Sequence, residues 1–112
     1  MVAFYGDGGS GPTHDYIVTT TAAMSTAVWH LVTCVYTGNQ NVTIYIDATI
    51  PAQTNNGGTG TLAYSTGNAQ VNEFGVDGVV MDATIDDLRL YSRALAPWEI
   101  MQIYQQGLLN HN

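Results

Sequence analysis

The sequence predicts an all-β fold, an antiparallel sandwich closed by one short helix at its C-terminal end. Three observations predict it. Threonine, tyrosine, valine and glycine dominate while only 10% of residues are charged, a composition that suits pleated, half-buried surfaces better than helices. About seven short β-like runs are separated by turn-forming residues. No helix lies between them to carry parallel crossovers, so neighbouring strands must run antiparallel.

The runs follow in order. Residues 2–5 read as a short strand, and Gly6-Asp7-Gly8-Gly9-Ser10-Gly11-Pro12 as a loop whose glycines permit positive φ. Residues 15–21 form a second, β-branched strand. Residues 29–37 and 41–49 are the third and fourth, joined by Gly38-Asn39-Gln40, a hairpin connection of suitable residue types. In the third, His30, Val32, Cys34 and Tyr36 alternate with Trp29, Leu31, Thr33 and Val35. Both central strands are apolar on both faces, which predicts cover on both sides.

Residues 51–60 read as a polar loop with a turn at Asn55-Asn56-Gly57-Gly58, and residues 62–65, 72–76 and 84–91 as three further strands. In the last of these, Leu88 and Leu90 fall on one face and Asp87, Arg89 and Tyr91 on the other, so the strand is expected to be at least half buried. A helix start follows. Pro97 suits the first turn, where a missing N–H costs nothing, and Glu99 sits near the positive end of the helix dipole, although Ala96 is a poor cap. Ile100, Ile103 and Tyr104 recur at helical spacing, and Gly107 is expected to end the helix after two to three turns.

With 112 residues, 46% of them hydrophobic, the chain is read as one folded domain spanning residues 1–112, either complete or the C-terminal part of a larger one. Lysine is absent, Arg89 and Arg93 are the only strong cations, and the formal charge is −7. Phosphate binding needs several cations, so nucleic acid is excluded as a partner and an anionic membrane surface is disfavoured. No run approaches the roughly 20 apolar residues that span a bilayer, and no secretion signal opens the chain. Cys34, the single cysteine, reads as a small buried hydrophobe with no neighbouring cation to activate it.

Three motifs carry a family resemblance: Trp29-His30-Leu31-Val32, Val42-Thr43-Ile44-Tyr45-Ile46-Asp47, and Ile85-Asp86-Asp87-Leu88-Arg89-Leu90-Tyr91 with the Arg93-Ala94-Leu95 turn and a helix near Glu99-Ile100. In this order they resemble the laminin G-like domains of the concanavalin A-like lectin/glucanase superfamily. The resemblance covers roughly residues 29–106 and implies a jelly-roll sandwich, here shortened at its N-terminus. Ala48 stands where the family has a turn glycine, so that hairpin is expected to bend differently.

The resemblance implies a lectin-like recognition module with carbohydrate or glycoprotein as partner and an extracellular or surface setting. The family's glucanases use a Glu-x-Asp-x-x-Glu strand, but the only glutamates are Glu73 and Glu99, and retaining hydrolysis needs two carboxyl groups about 5–5.5 Å apart. A glycoside hydrolase is thus the third choice, and the chain is read as no enzyme. Sugar binding would use exposed aromatic planes with polar neighbours, which selects Tyr45, Asp47, Arg89 and Tyr91, with Asn55 and Asn56 from a rim.

Calcium would take carboxylate oxygens near glycine-rich turns, with Asp82 and Asp86 the candidates. Asp87 and Arg89 are expected to pair, Trp29 to begin a core strand, Trp98 to anchor the helix, and His111 to lie at a frayed end. His14, His30 and His111 are scattered and give no sign of a Ser-His-Asp set. The second functional choice is structural. A sandwich lacking upstream strands exposes a sheet edge, which recruits another chain and predicts a homo-oligomer.

Overall fold

The computed structural model describes residues 2–6, 15–38, 41–57, 73–74, 79–80 and 83–111. Strands β1 (Val2–Gly6), β2 (Asp15–Thr20), β3 (Val32–Gly38), β4 (Asn41–Ile46), β5 (Gln53–Gly57), β6 (Glu73–Phe74) and β7 (Val79–Val80) precede helix α1 (Pro97–Asn110). Each strand pairing is antiparallel, in sheets β1-β2-β5, β3-β4 and β6-β7. The β-rich, antiparallel architecture with one C-terminal helix is as the sequence predicts.

The core is built around β4. Val42, Ile44 and Ile46 form one cluster with Ala22 and Met24. One residue out of phase, Tyr45 joins Val35, Leu95 and Ile100 in a second, flanked by Leu31, Ala48 and Ile103. Alternation by two thus sends β4 side chains into both layers, and α1 seals the second. Ile44 and Ile100 have no exposed surface. The β4 edge is also capped, because the Ile44 N–H donates to Gln53 Oε1 at 3.0 Å.

Beyond β4 the chain reverses in two residues. Ile46 and Thr49 exchange backbone hydrogen bonds of 2.9 and 3.0 Å, and both Asp47 and Ala48 have positive φ, 51° and 60°. This is the geometry of a type I′ hairpin turn, which favours Asp-Gly. Ala48 therefore does not redirect the hairpin, contrary to expectation; it adopts the left-handed conformation a glycine would take there, with the strain of its Cβ.

Several elements differ from the sequence reading. Two-sided cover holds for β4 alone: Val35 is buried on β3, but Val32, Cys34 and Tyr36 are exposed, and of the β3 side chains only Val35 joins a core cluster. Cys34 is thus no core residue. The expected loop at 51–60 contains β5, whose residues 53–57 ladder onto β2, Asn55 opposite Val18 and Asn56 opposite Ile17. Of the expected strand at 72–76, residues 73–74 form β6 and the others lie outside the described residues. The expected strand at 62–65 and most of the glycine-rich loop after residue 6 lie outside the described residues.

The largest departure is at 84–91, which joins no ladder among the described residues and is exposed throughout. Asp87 has φ 53°, and Asp86 Oδ1 accepts the Asp87 N–H at 2.8 Å. A left-handed residue breaks the alternation that the sequence suggests.

Helix α1 begins at Pro97 as predicted. Ala96 has no side-chain oxygen to cap it, and Glu99 supplies the reciprocal bond, accepting the Ala96 N–H at 2.8 Å. Glu99 also receives a bidentate bond from Arg93, at 2.7 and 2.6 Å, fixing the Arg-Ala-Leu turn against the helix. Gly107 does not end the helix. The helix runs to Asn110, and the His111 N–H bonds Gly107 O at 3.1 Å, because a glycine weakens a helix interior without breaking it. Trp98 does not anchor the helix either, being 63% exposed.

Candidate functional site

Two constellations of polar side chains form on this frame. The first surrounds His30. Its Nδ1 lies 2.7 Å from Asp47 Oδ2, and the other Asp47 oxygen accepts the Leu31 N–H at 3.0 Å. On the far side of the ring, Nε2 lies 3.0 Å from Ser25 Oγ and 3.2 Å from the Ser25 carbonyl. The order Ser25, His30, Asp47 has the outline of a nucleophile, base and orienting acid, which the scattered histidines did not suggest. A carbonyl oxygen only accepts, so an Nε2 shared with Ser25 O carries its own hydrogen while Nδ1 donates to Asp47. The Asp47 bond, foremost, and the Ser25 carbonyl raise the His30 pKa above its ordinary value against the opposing effect of desolvation. The arrangement favours a protonated clasp that holds residues 25–30 to the β4 hairpin.

The second constellation lies on the surface where the approach to β3, the irregular 83–91 segment and the end of α1 meet. The ring of Trp29 lies against that of His111, centroids 4.8 Å apart and tilted by 36°. His111 Nε2 is 3.6 Å from Asp87 Oδ2, and Arg89 is 3.6 Å from the same oxygen. Asp87 and Arg89 pair as the sequence suggested. Trp29, 43% exposed, does not begin a core strand, because His30 and Leu31 are drawn to the Asp47 turn and β3 starts only at Val32. The result is an aromatic surface beside a carboxylate and a guanidinium.

The predicted ligand residues divide between roles. Tyr45 is buried in the α1-facing cluster, so it offers no plane to a ligand; the hydrophobic pull of Leu95 and Ile100 outweighs the expectation of an exposed phenol. Both Asp47 oxygens serve the clasp. Arg89 belongs to the surface constellation, and Tyr91 is exposed nearby in sequence. Asn55 lies in β5, exposed, and Asn56 beside it in the same strand, not in a rim turn.

Asp82 lies outside the described residues, and one Asp86 carboxylate oxygen accepts the Asp87 N–H. Among the described residues no group of three or more His, Cys, Asp or Glu side chains is placed to hold a metal. Nor is any described helix long and apolar enough to cross a membrane.

His111 and Trp29 were missed by sequence reasoning. No burial pattern signals His111, since Leu108 and Leu109 after Gly107 are exposed; only the good helix propensity of leucine favours the turn that delivers the imidazole.

Among curated proteins none matches the chain. Among solved structures, the fold is similar to residues 221–444 of an S-layer domain-containing protein from Clostridium thermocellum, with 18% identity, a TM-score of 0.51, and coverage of 91% of this chain but 61% of that one. The Laminin G 3 family model, described as the concanavalin A-like lectin/glucanases superfamily, matches residues 2–101. The antiparallel pairings and the hairpin with Asp47 in its turn agree with that match, as does the Arg93-Ala94-Leu95 turn leading into α1. The chain belongs to this laminin G family of the concanavalin A-like superfamily.

Proposed function

We propose that the protein is a non-catalytic recognition domain of a surface-associated protein, and that it binds carbohydrate at the Trp29, His111, Asp87 and Arg89 surface. One observation carries the reading: a half-exposed indole lies in series with a carboxylate and a guanidinium. A sugar presents an apolar C–H face and a rim of hydroxyls. Trp29 suits the face, while Asp87 accepts and Arg89 donates to hydroxyls. The loose 3.6 Å spacing between the charged groups leaves their hydrogen-bonding capacity open to a ligand. Family membership supports a recognition role, and the S-layer neighbour supports a surface setting. The glucanase carboxylate pattern is missing, which supports a role without catalysis.

A glycan array with and without calcium, followed by calorimetry on the best ligand, tests this. Trp29→Ala and Asp87→Asn are each expected to weaken binding about tenfold or more, equivalent to about 1.4 kcal/mol. Absence of binding to every glycan class contradicts the reading. Binding that requires calcium would bring Asp82 and Asp86 into the site.

A further inference from the structure

The start of β4 carries a motif that the proposed function does not use. Asn41-Val42-Thr43 is the one Asn-x-Ser/Thr triplet in the chain, and its middle residue is not proline. This is the acceptor pattern for N-linked glycan transfer. Such triplets also arise by chance, so the placement of this one decides.

Alternation by two puts Asn41, Thr43 and Tyr45 on one face of β4 and Val42 on the other, where Val42 is buried with Ile44 and Ile46. On the Asn41 face Tyr45 is buried against Ile100 of α1, Thr43 is half-buried and Asn41 is exposed. The face therefore emerges from beneath the helix toward the β3-β4 hairpin end. Opposite Asn41 stands Gly38, whose φ of 150° favours glycine, and nothing lies within 4 Å of where its side chain would be. The Thr37 hydroxyl donates at 3.4 Å to the backbone carbonyl of Asn41 and so does not engage its carboxamide. An exposed carboxamide thus shares a face with the hydroxyl two residues on, at a position where a bulky, hydrated group displaces no core packing.

We propose that Asn41 is the attachment site of an N-linked glycan. The proposal rests on the surface setting inferred above, because the transfer acts on exported chains, and not on sugar binding. The amide nitrogen of Asn41 bonds the anomeric carbon of a saccharide carried on a polyprenyl phosphate lipid. The bond from that carbon to the phosphate oxygen breaks, its electron pair leaves with the lipid phosphate, and the nitrogen gives one proton to a base of the transferase. The attached glycan stands clear of the Trp29 surface: about 17 Å of strand separates Asn41 from Ile46, beside the Asp47 turn that holds His30.

Mass spectrometry of the full chain, secreted from a eukaryotic host that carries a membrane oligosaccharyltransferase, tests the proposal. The intact mass is expected to exceed that of the polypeptide by one glycan, and glycoamidase digestion in heavy-oxygen water to leave a labelled aspartate at position 41. Asn41→Gln and Thr43→Ala are each expected to abolish the added mass, whereas Thr43→Ser keeps it. Asn41→Gln is also expected to leave the far-UV CD spectrum and the glycan-array profile unchanged, so attachment at Asn41 and sugar binding at Trp29 can each fail without the other. A secreted chain of bare polypeptide mass, or an added glycan that survives Asn41→Gln, overturns the proposal.

Discussion

His30 Nδ1 lies 2.7 Å from Asp47 Oδ2, and this contact fastens the approach to β3 onto the turn that ends β4. The pair decides where Trp29 sits, because the indole precedes the clasped histidine by one residue.

The clasp has a pH signature. Hydrogen bonding to Asp47 raises the His30 pKa above its ordinary 6.5. A group raised on folding contributes fully below its unfolded pKa, and that contribution is lost as pH rises through the higher folded value. The thermal midpoint is therefore expected to fall as pH rises above 6.5, and this fall to disappear in His30→Gln. Superimposable pH profiles for the two proteins would count against the clasp.

Asp47→Ala leaves the Leu31 N–H and the imidazole without their acceptor. A loss of about 1–3 kcal/mol in urea unfolding is expected. A value within 0.5 kcal/mol of zero, roughly the range of ordinary surface substitutions, would show the contact to be incidental.

Ala27 and Ala48 hold φ angles of 62° and 60°. Glycine relieves the left-handed strain but adds freedom to the unfolded chain. Ala27→Gly, at an exposed position, is expected to stabilise by up to about 1 kcal/mol. Ala48→Gly is expected to gain less, since Ala48 packs against the Val35, Tyr45, Leu95 and Ile100 cluster. The order of the two urea midpoints checks the argument.

Much of this architecture is legible in the residues because local and tertiary preferences agree. Val42, Ile44 and Ile46 alternate with Tyr45 and all are buried, and Pro97 opens α1 where the rules for helix starts place it. Legibility fails where partners decide the outcome. The alternation around Leu88 and Leu90 reads as a strand, but a strand needs a neighbour to accept its hydrogen bonds, and no described residue provides one. Trp29 and His111 meet only because the helix outruns Gly107, which composition alone does not determine. Tyr45 has the same local pattern whether it faces a ligand or a helix, and only the packing of Ile100 distinguishes them.

The helix start carries an acid-sensitive lock. Arg93, and then the Ala96 N–H, lower the Glu99 pKa from 4.5 to about 2. A lowered carboxyl contributes above its unfolded pKa and loses that contribution as pH falls through the folded value. Helix signal in far-UV CD is expected to decline from about pH 4.5 toward about pH 2, more shallowly in Glu99→Gln. Equal acid transitions would place the lock elsewhere.

The most direct measurement of the functional claim is a heteronuclear NMR titration of the labelled protein with the best array glycan. The account predicts that shift changes concentrate at the Trp29 indole N–H and the backbone amides of Asp87, Arg89 and His111, with Trp98 silent. Perturbations centred instead on Trp98, or on the exposed β3 residues Val32 and Tyr36, would contradict it.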